Sequence, residues 1–419
     1  MKHKRKIENL IILSILAQLI LIATGKINQI LLLGTYFIQF IGIAYCLKEQ
    51  KLVLSKAQKN MINFLIVFFA MVIFMVMFSI YRNETLTTTI LVFINILVIC
   101  IINFLDKEGR ITKNILKYFF IFVIFLAIYG IVLRVFGSTP TTSTINGITR
   151  SRQFLKIGGL TFSQIVMGRA GESYGIASLT QNPNSLSYFL IYALIMNTVY
   201  AQVKKKKKIL HIALYGIIVV GIILAGSRLA VLLIPVAYLI PKILFIKDKR
   251  KISIIILTMI SVLILTVLLL TLMDISILEN IDLNGRDLLW SNIPEIITNH
   301  MLTGEGVGSS ILILEELLGV DKASMHNTYF VMISDFGLFL SLIIWVIIVL
   351  IVIKNIKELI KKEQNINKQQ QMVLAISIIL IILIQGMSES TIFTLSVPNI
   401  LFFYMLSTLI KIGGKNEES

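Results

Sequence analysis

Charge is scarce in this chain. Asp, Glu, Lys and Arg make up 15% of its 419 residues, against 57% hydrophobic residues and a mean hydropathy of +0.89. Water-soluble domains are nearer half apolar and a quarter charged, which excludes a protein folded wholly in water. Cysteine is scarcer still. Cys46 and Cys100 both fall in apolar runs, which leaves no external disulfide framework and no metal-ligand spacing; packing is their default role. The polar segments contain no Asp-x-Asp pair and no His/Asp/Glu cluster with ligand spacing. The glycine-rich "GEGVGSS" lacks a P-loop lysine. No soluble domain is present to hold a sugar nucleotide. No metal and no cofactor are therefore expected.

What the chain does have is apolar runs of membrane-spanning length, from end to end. They fall near 7–24, 27–47, 61–81, 86–105, 118–137, 182–203, 209–226, 229–246, 252–273, 327–353, 372–388 and 391–410. The expected fold is an all-α polytopic membrane protein with about twelve transmembrane helices, a single domain over residues 1–419. "MKHKRK" before the first run resembles a signal peptide, but no small-residue cleavage site follows, so it reads as the first anchor. With the N-terminus in the cytoplasm, the inward segments hold 28 of the 39 Lys and Arg, including "KKKKK" and "KDKRK". That is the positive-inside pattern, so the net charge of +17 is mainly a topology signal and nucleic acid is not an expected partner. Both termini are then cytoplasmic.

Two connections are long, and both are expected outside: 138–181 and 274–326. The first carries Arg150, Arg152, Lys156 and Arg169 against a single acid, Glu172, and reads as irregular or short ribbon structure over the membrane. In the second, Leu289, Ile293, Ile296, Ile297 and Met301 recur at helical spacing. They predict an amphipathic interfacial helix, capped by Asn284 and kinked or divided at Pro294. Inward loops are mostly lysine, whereas the outward side concentrates arginine, whose planar fork suits phosphate oxygens. The bland reading is snorkelling to lipid headgroups.

Three spans expected to run from outside to inside open with polar residues. "QNPNS" places Asn182 as cap and Pro183 at the first helical position, with Asn184 next. "GSRLA" offers Ser227 as a cap beside Arg228, and "MHNTY" brings His326 and Asn327. Helix N-termini expose free N–H groups and the positive dipole end, so the three together make a cradle for phosphate or pyrophosphate. Caps also occur at helix ends that bind nothing.

"GRDLLW", then "GEGVG", then "HNTYF", preceded by "NPN" and "AGSR", is similar to the O-antigen ligase and polysaccharide polymerase superfamily over roughly 165–345. The resemblance implies a GT-C-like glycosyltransferase architecture. It also implies an enzyme that moves sugar chains from a polyprenyl-pyrophosphate carrier at the outer face of the cytoplasmic membrane. Carried over, Arg228 matches the arginine of the family's Ser-Arg motif, Arg286 that of Gly-Arg-x-x-x-Trp, and His326 the histidine of His-Asn. Arg169 lies where a less regular arginine often precedes "NPN". The family's proline shortly before the glycine turn is missing from "NHMLTGEG".

The chemistry of the residues agrees with this. Arg228 and Arg286 suit the charge that develops on a departing pyrophosphate. A neutral His326 suits deprotonation of the attacking sugar hydroxyl. Trp290, one turn after Arg286, could line a sugar platform or anchor at the interface, and Gly304, Gly306 and Gly308 permit a tight turn or a close backbone approach. His300 competes with His326 but matches no motif, and Glu305, Glu295, Asp287 and Asp335 are alternative bases. The expected partners are a polyprenyl-pyrophosphate-linked oligosaccharide, membrane lipid, and a flippase and chain-length regulator of the same pathway. Polymerase and ligase share the pyrophosphate-leaving half-reaction. A flippase or other transporter is the alternative from another class, but the chain shows no convincing internal repeat, and Arg134, Asp335 and Glu389 all fall toward the outer ends of their spans.

Overall fold

The computed structural model describes residues 2–25, 29–50, 54–145, 148–167, 174–203, 208–246, 304–319, 324–361 and 365–414. The helices are α1 (Lys2–Ala23), α2 (Gln29–Gln50), α3 (Lys56–Val76), α4 (Arg82–Leu105), α5 (Arg110–Phe136), α6 (Pro183–Val203), α7 (Lys208–Ala225), α8 (Arg228–Phe245), α9 (Ser309–Leu318), α10 (Thr328–Lys361), α11 (Ile366–Gln385) and α12 (Val397–Gly414). Ten are long and apolar enough to cross a membrane, and α12 is a shorter apolar helix. This is an all-α polytopic membrane protein. In a hydrocarbon solvent each backbone polar group must be satisfied within its own segment, which is why uninterrupted helix is the dominant element. Eleven of the twelve expected spans meet one of these helices; the run 252–273 lies outside the described residues.

Two boundaries differ from expectation in a way that matters. The last two spans were expected at 372–388 and 391–410, but α11 ends at Gln385 and α12 begins at Val397. The intervening connection is therefore a folded segment of polar residues instead of a tight turn. Apolar Ile392, Phe393 and Leu395 within it carry the hydropathy signal across a break in the helix. In α10, Gly337 has φ 75° and ψ 164°, so this helix is two segments joined at a kink.

The described residues of the first long connection form a sheet. Strands β1 (Thr141–Ile145), β2 (Ile148–Ile157), β3 (Leu160–Met167) and β4 (Gly175–Ile176) pair antiparallel in chain order. Gly158 and Gly159, both at positive φ, make the two-residue turn that this hairpin needs. Gln153 and Gln164 are cross-strand partners, both buried, and Gln164 Nε2 donates to Gln153 Oε1 at 3.0 Å. The Tyr129 hydroxyl of α5 donates to the Ser163 carbonyl at 2.9 Å, seating the sheet on the end of that helix.

α6 is the most enclosed span and packs against α5, α7, α8 and α11. Alternation of the chain sorts the helix ends into two sets. The start of α6, α8, α10 and α12 and the finish of α3, α5, α7 and α11 lie at the end that carries the sheet, called here the sheet end. Polar side chains inside the bundle pair across helices: Gln39 donates to Gln18 at 3.0 Å, and Asn103 donates to Ser407 and Thr408 at 2.8 and 2.7 Å.

Candidate active site

Two helix starts and one connection build the polar centre of the sheet end. At α6, Asn182 Oδ1 accepts from Ser185 N at 2.8 Å, and Pro183 takes the first helical position, where its missing N–H is no loss. At α10, Asn327 Oδ1 accepts from Tyr329 N at 2.9 Å and Phe330 N at 3.2 Å. Its amide nitrogen donates to the Met387 carbonyl at 3.1 Å. Thr328 ties the same connection down. Its N–H donates to Gly386 O at 2.7 Å, its hydroxyl donates to Glu389 O at 2.8 Å, and its Oγ1 accepts from Thr391 N at 2.8 Å. The segment 386–391 is thus stitched to the start of α10 along its length.

The stitching places Glu389 between the two helix starts. Glu389 Oε2 lies 3.1 Å from His326 Nδ1, and Glu389 Oε1 accepts from Asn184 Nδ2 at 2.8 Å. His326 sits at φ 46°, a left-handed conformation uncommon for a side chain of its size, and the hydrogen-bonded residues on both sides hold it there. The His326 side chain is 39% exposed and that of Glu389 19%, so the histidine is the more open member of the pair. With Nδ1–H donating to the carboxylate, Nε2 is left as the acceptor of the ring. Beside the pair, a cleft of about 190 Å³ is lined by Gln181, Asn182, Asn184, Tyr188, Glu389 and Ser390, among others.

Ser227 precedes α8 in an extended conformation, but its hydroxyl makes no capping hydrogen bond; it is buried, and Arg228 beside it is exposed. The start of α8 is brought near that of α6 by Gly175. A Cβ there would meet Ala225 O at 2.3 Å and the Pro183 side chain at 3.4 Å.

The glycine turn uses its freedom against the protein's own backbone. A Cβ on Gly304 would meet Asp335 O and Phe336 N at 2.3 Å, and one on Gly306, at φ 93°, would meet Val76 at 2.5 Å and Thr85 at 2.9 Å. Glu305 N donates to Ser334 O at 3.0 Å and Gly306 N to Asp335 O at 2.9 Å. Gly308, at φ 93°, precedes α9, and its N–H donates to the Asp335 carboxylate. Residues 304–310 are therefore pinned to the kinked part of α10 and to α3 and α4. Asp335, an alternative base on sequence grounds, is 1% exposed and committed to the start of α9.

Arg169, Arg286 and Trp290 lie outside the described residues, as do His300, Asp287, Glu295 and the amphipathic helix expected around 289–301. Among the described candidates, the structure brings together His326, Asn327, Asn182 and Asn184. It adds Glu389, which sequence reasoning placed near the outer end of a span without assigning it to the site. The signal was an acid flanked by serines in "MSEST", between two apolar runs.

Residues 213–346 match the family model described as O-antigen ligase. The match takes in Ser227, Arg228, Arg286, Trp290, the three glycines, His326 and Asn327, and stops before Glu389. A comparison with curated proteins finds no matching relative.

Proposed function

We propose that this integral membrane protein, which carries an O-antigen ligase domain, is a polysaccharide polymerase. It transfers a glycan chain from a polyprenyl-pyrophosphate carrier onto a lipid-linked repeat unit at the outer face of the cytoplasmic membrane. The observation that carries this reading is the Asn184–Glu389–His326 array beside a polar cleft. A base needs a proton-accepting atom open to substrate and a partner that fixes its tautomer, and a half-exposed imidazole paired with a carboxylate supports that reading. The acceptor sugar hydroxyl gives its proton to His326 Nε2 while its oxygen bonds to the anomeric carbon of the donor. The bond from that carbon to the phosphate oxygen breaks, and the pyrophosphate carrier leaves with the electron pair. Glu389 stabilises the imidazolium that forms.

The leaving pyrophosphate gathers negative charge, which fixed donors stabilise without reorganising. Arg228 at the start of α8 and Arg286 are assigned that role, with Arg169 and the positive dipole end of α6 in support. Ser227, Asn182, Asn184 and Asn327 shape the site around them, Trp290 lines the sugar path, and Gly304, Gly306 and Gly308 hold the connection in place. Because the donor already carries its activation energy, neither nucleotide nor metal enters the scheme. The description of the matching family favours a second reading, a ligase that moves a finished glycan to another acceptor by the same half-reaction.

Reconstituted protein tests this with a polyprenyl-pyrophosphate-linked repeat unit, EDTA and no nucleotide. A ladder of lengthened lipid-linked chains is expected from the wild type and not from Arg286→Ala or His326→Ala. Transfer only to a different lipid acceptor would establish the ligase. Carrier movement across the bilayer without any transfer would overturn the enzyme and establish a transporter.

A further inference from the structure

Away from the His326 array, a lateral cleft of about 360 Å³ opens between α3 and α10, with α12 as its floor. It exists because α3 and α10 each pack on α12 more than on one another. Its walls are apolar, formed by Met61, Phe64, Leu65, Ile344, Ile348 and Ile351 with side chains of α12. Toward the sheet end it is closed by rings. Phe68 and Phe336 lie 5.3 Å apart, Phe336 and Phe393 4.9 Å, and Phe393 and Phe403 5.3 Å.

The depth has a meaning. The α3 lining runs from Ala57 to Phe68, and at ~1.5 Å per residue that is roughly 16 Å. One leaflet supplies about half of a ~30 Å hydrocarbon core. The cleft therefore accepts a chain from one leaflet, entered from the end opposite the candidate active site.

The mouth is polar. Asn60, Lys354 and Asn355 stand there, and Lys56, Lys59 and Lys357 are exposed on the helix ends that border it. Asn355 is only 3% exposed; its amide nitrogen donates to Ile351 O at 2.9 Å, while its Oδ1 accepts no hydrogen bond among the described residues. A buried amide oxygen at the rim of an apolar cleft calls for a donor. The lysines call for an anion.

We propose that this cleft is a phospholipid site. One acyl chain fills the apolar wall, the phosphate lies at the lysine rim, and a headgroup hydroxyl donates to Asn355 Oδ1. An anionic lipid of the phosphatidylglycerol type has all three features. The polyprenyl carrier fits less well, because its pyrophosphate belongs at the sheet end, beyond the ring closure. Phe393 belongs to the same connection as Glu389, so the occupant braces the floor on which the His326 array is built.

Native mass spectrometry of the purified full-length protein tests the assignment, using equimolar phosphatidylglycerol and phosphatidylcholine of identical chains. Retention of phosphatidylglycerol at least about fivefold over phosphatidylcholine is expected, and Asn355→Leu and Ile348→Trp should abolish the preference. Equal retention of the two lipids would overturn the proposal, as would polyprenyl phosphate displacing both. So would rapid disulfide formation between Ile348→Cys and Leu257→Cys, which would assign the cleft to the chain's own 252–273 segment. Should Ile348→Trp fail to fold, a photoreactive phosphatidylglycerol on the wild type decides: labelling within 57–68 and 344–355 supports the site, and labelling confined elsewhere removes it.

Discussion

Asp335 and Glu389 lie at the same end of the bundle, both among apolar spans, and do opposite work. Asp335 accepts from Gly308 N at 3.2 Å, Ser309 Oγ at 3.1 Å and Ser310 N at 3.4 Å, so its donors are the start of α9 and nothing from solvent. Glu389 accepts from an amide, pairs with a half-exposed imidazole and itself lines a polar cleft. A carboxylate held by its own chain is a fastening, since the donors have nowhere else to go. One whose donor is a half-exposed histidine is coupled to whatever binds beyond it. Acidity and location are shared; the identity of the donors separates the two.

The comparison breaks most sharply at His326. His326→Ala should cut glycan transfer by about 10²–10⁴-fold, the usual worth of a positioned base, while the thermal midpoint in detergent stays close to that of the wild type. A comparable loss of midpoint and activity would reduce the histidine to a structural role and remove the contrast with Asp335. The mirror experiment is Asp335→Ala. It strands the N–H groups at the start of α9 in a buried setting, and about 3 kcal/mol of stability should be lost. A melting curve or resistance to denaturant reads this, with transfer falling only in proportion to folded protein.

These opposite outcomes mark where the sequence was informative. Span positions were legible because the bilayer imposes one length and one composition on every crossing, and eleven expected spans overlap helices, with ends that differ by up to eight residues. His326 and Asn327 were legible because a helix start declares itself locally. Glu389 was not, for two reasons. Its partners are 63 and 205 positions away, a relation that no local pattern carries. Its neighbours Ile392 and Phe393 also let the hydropathy of α12 run backward over the connection. The sheet was half legible: the outward polar stretch suggested irregular or short ribbon structure, but the burial of Gln153 against Gln164 depends on α5 below. For the glycine turn the sequence leaves a tight turn or a close approach open, and the close neighbours in the structure belong to α10, α3 and α4.

Glu389→Gln sharpens the distinction further. The side chain keeps its size and the bond from Asn184 survives on the amide oxygen, yet the ring loses its anionic partner. Transfer should fall roughly 10–100-fold with unchanged stability, since the imidazolium formed during proton transfer is no longer stabilised. Full rescue by Glu389→Asp is not expected, because the shorter chain cannot span Asn184 and His326 together. Unchanged transfer in Glu389→Gln would leave His326 acting alone and return Glu389 to the class of Asp335.

The smallest effect concerns the far side of α9, which Asp335 fastens at its start. Tyr81, just before α4, donates its hydroxyl to the Glu316 carboxylate near the helix end. Burial, and then the neighbouring Glu316, push the phenol well above its ordinary range. A folded-state pKa raised above the unfolded value means that the contribution is fully present below about pH 10, the ordinary tyrosine value, and is lost as pH rises through the folded one. The tether should therefore be insensitive to pH across the physiological range. Tyr81→Phe removes a single hydrogen bond at a site open to water, which costs about 1 kcal/mol or less. Hydrogen exchange in α9 is the measurement that resolves it. Faster exchange confined to the last turn would show α9 held at both ends by different means, a closed carboxylate at its start and an exposed phenol at its finish. Faster exchange throughout would show that Asp335 alone does not hold the start.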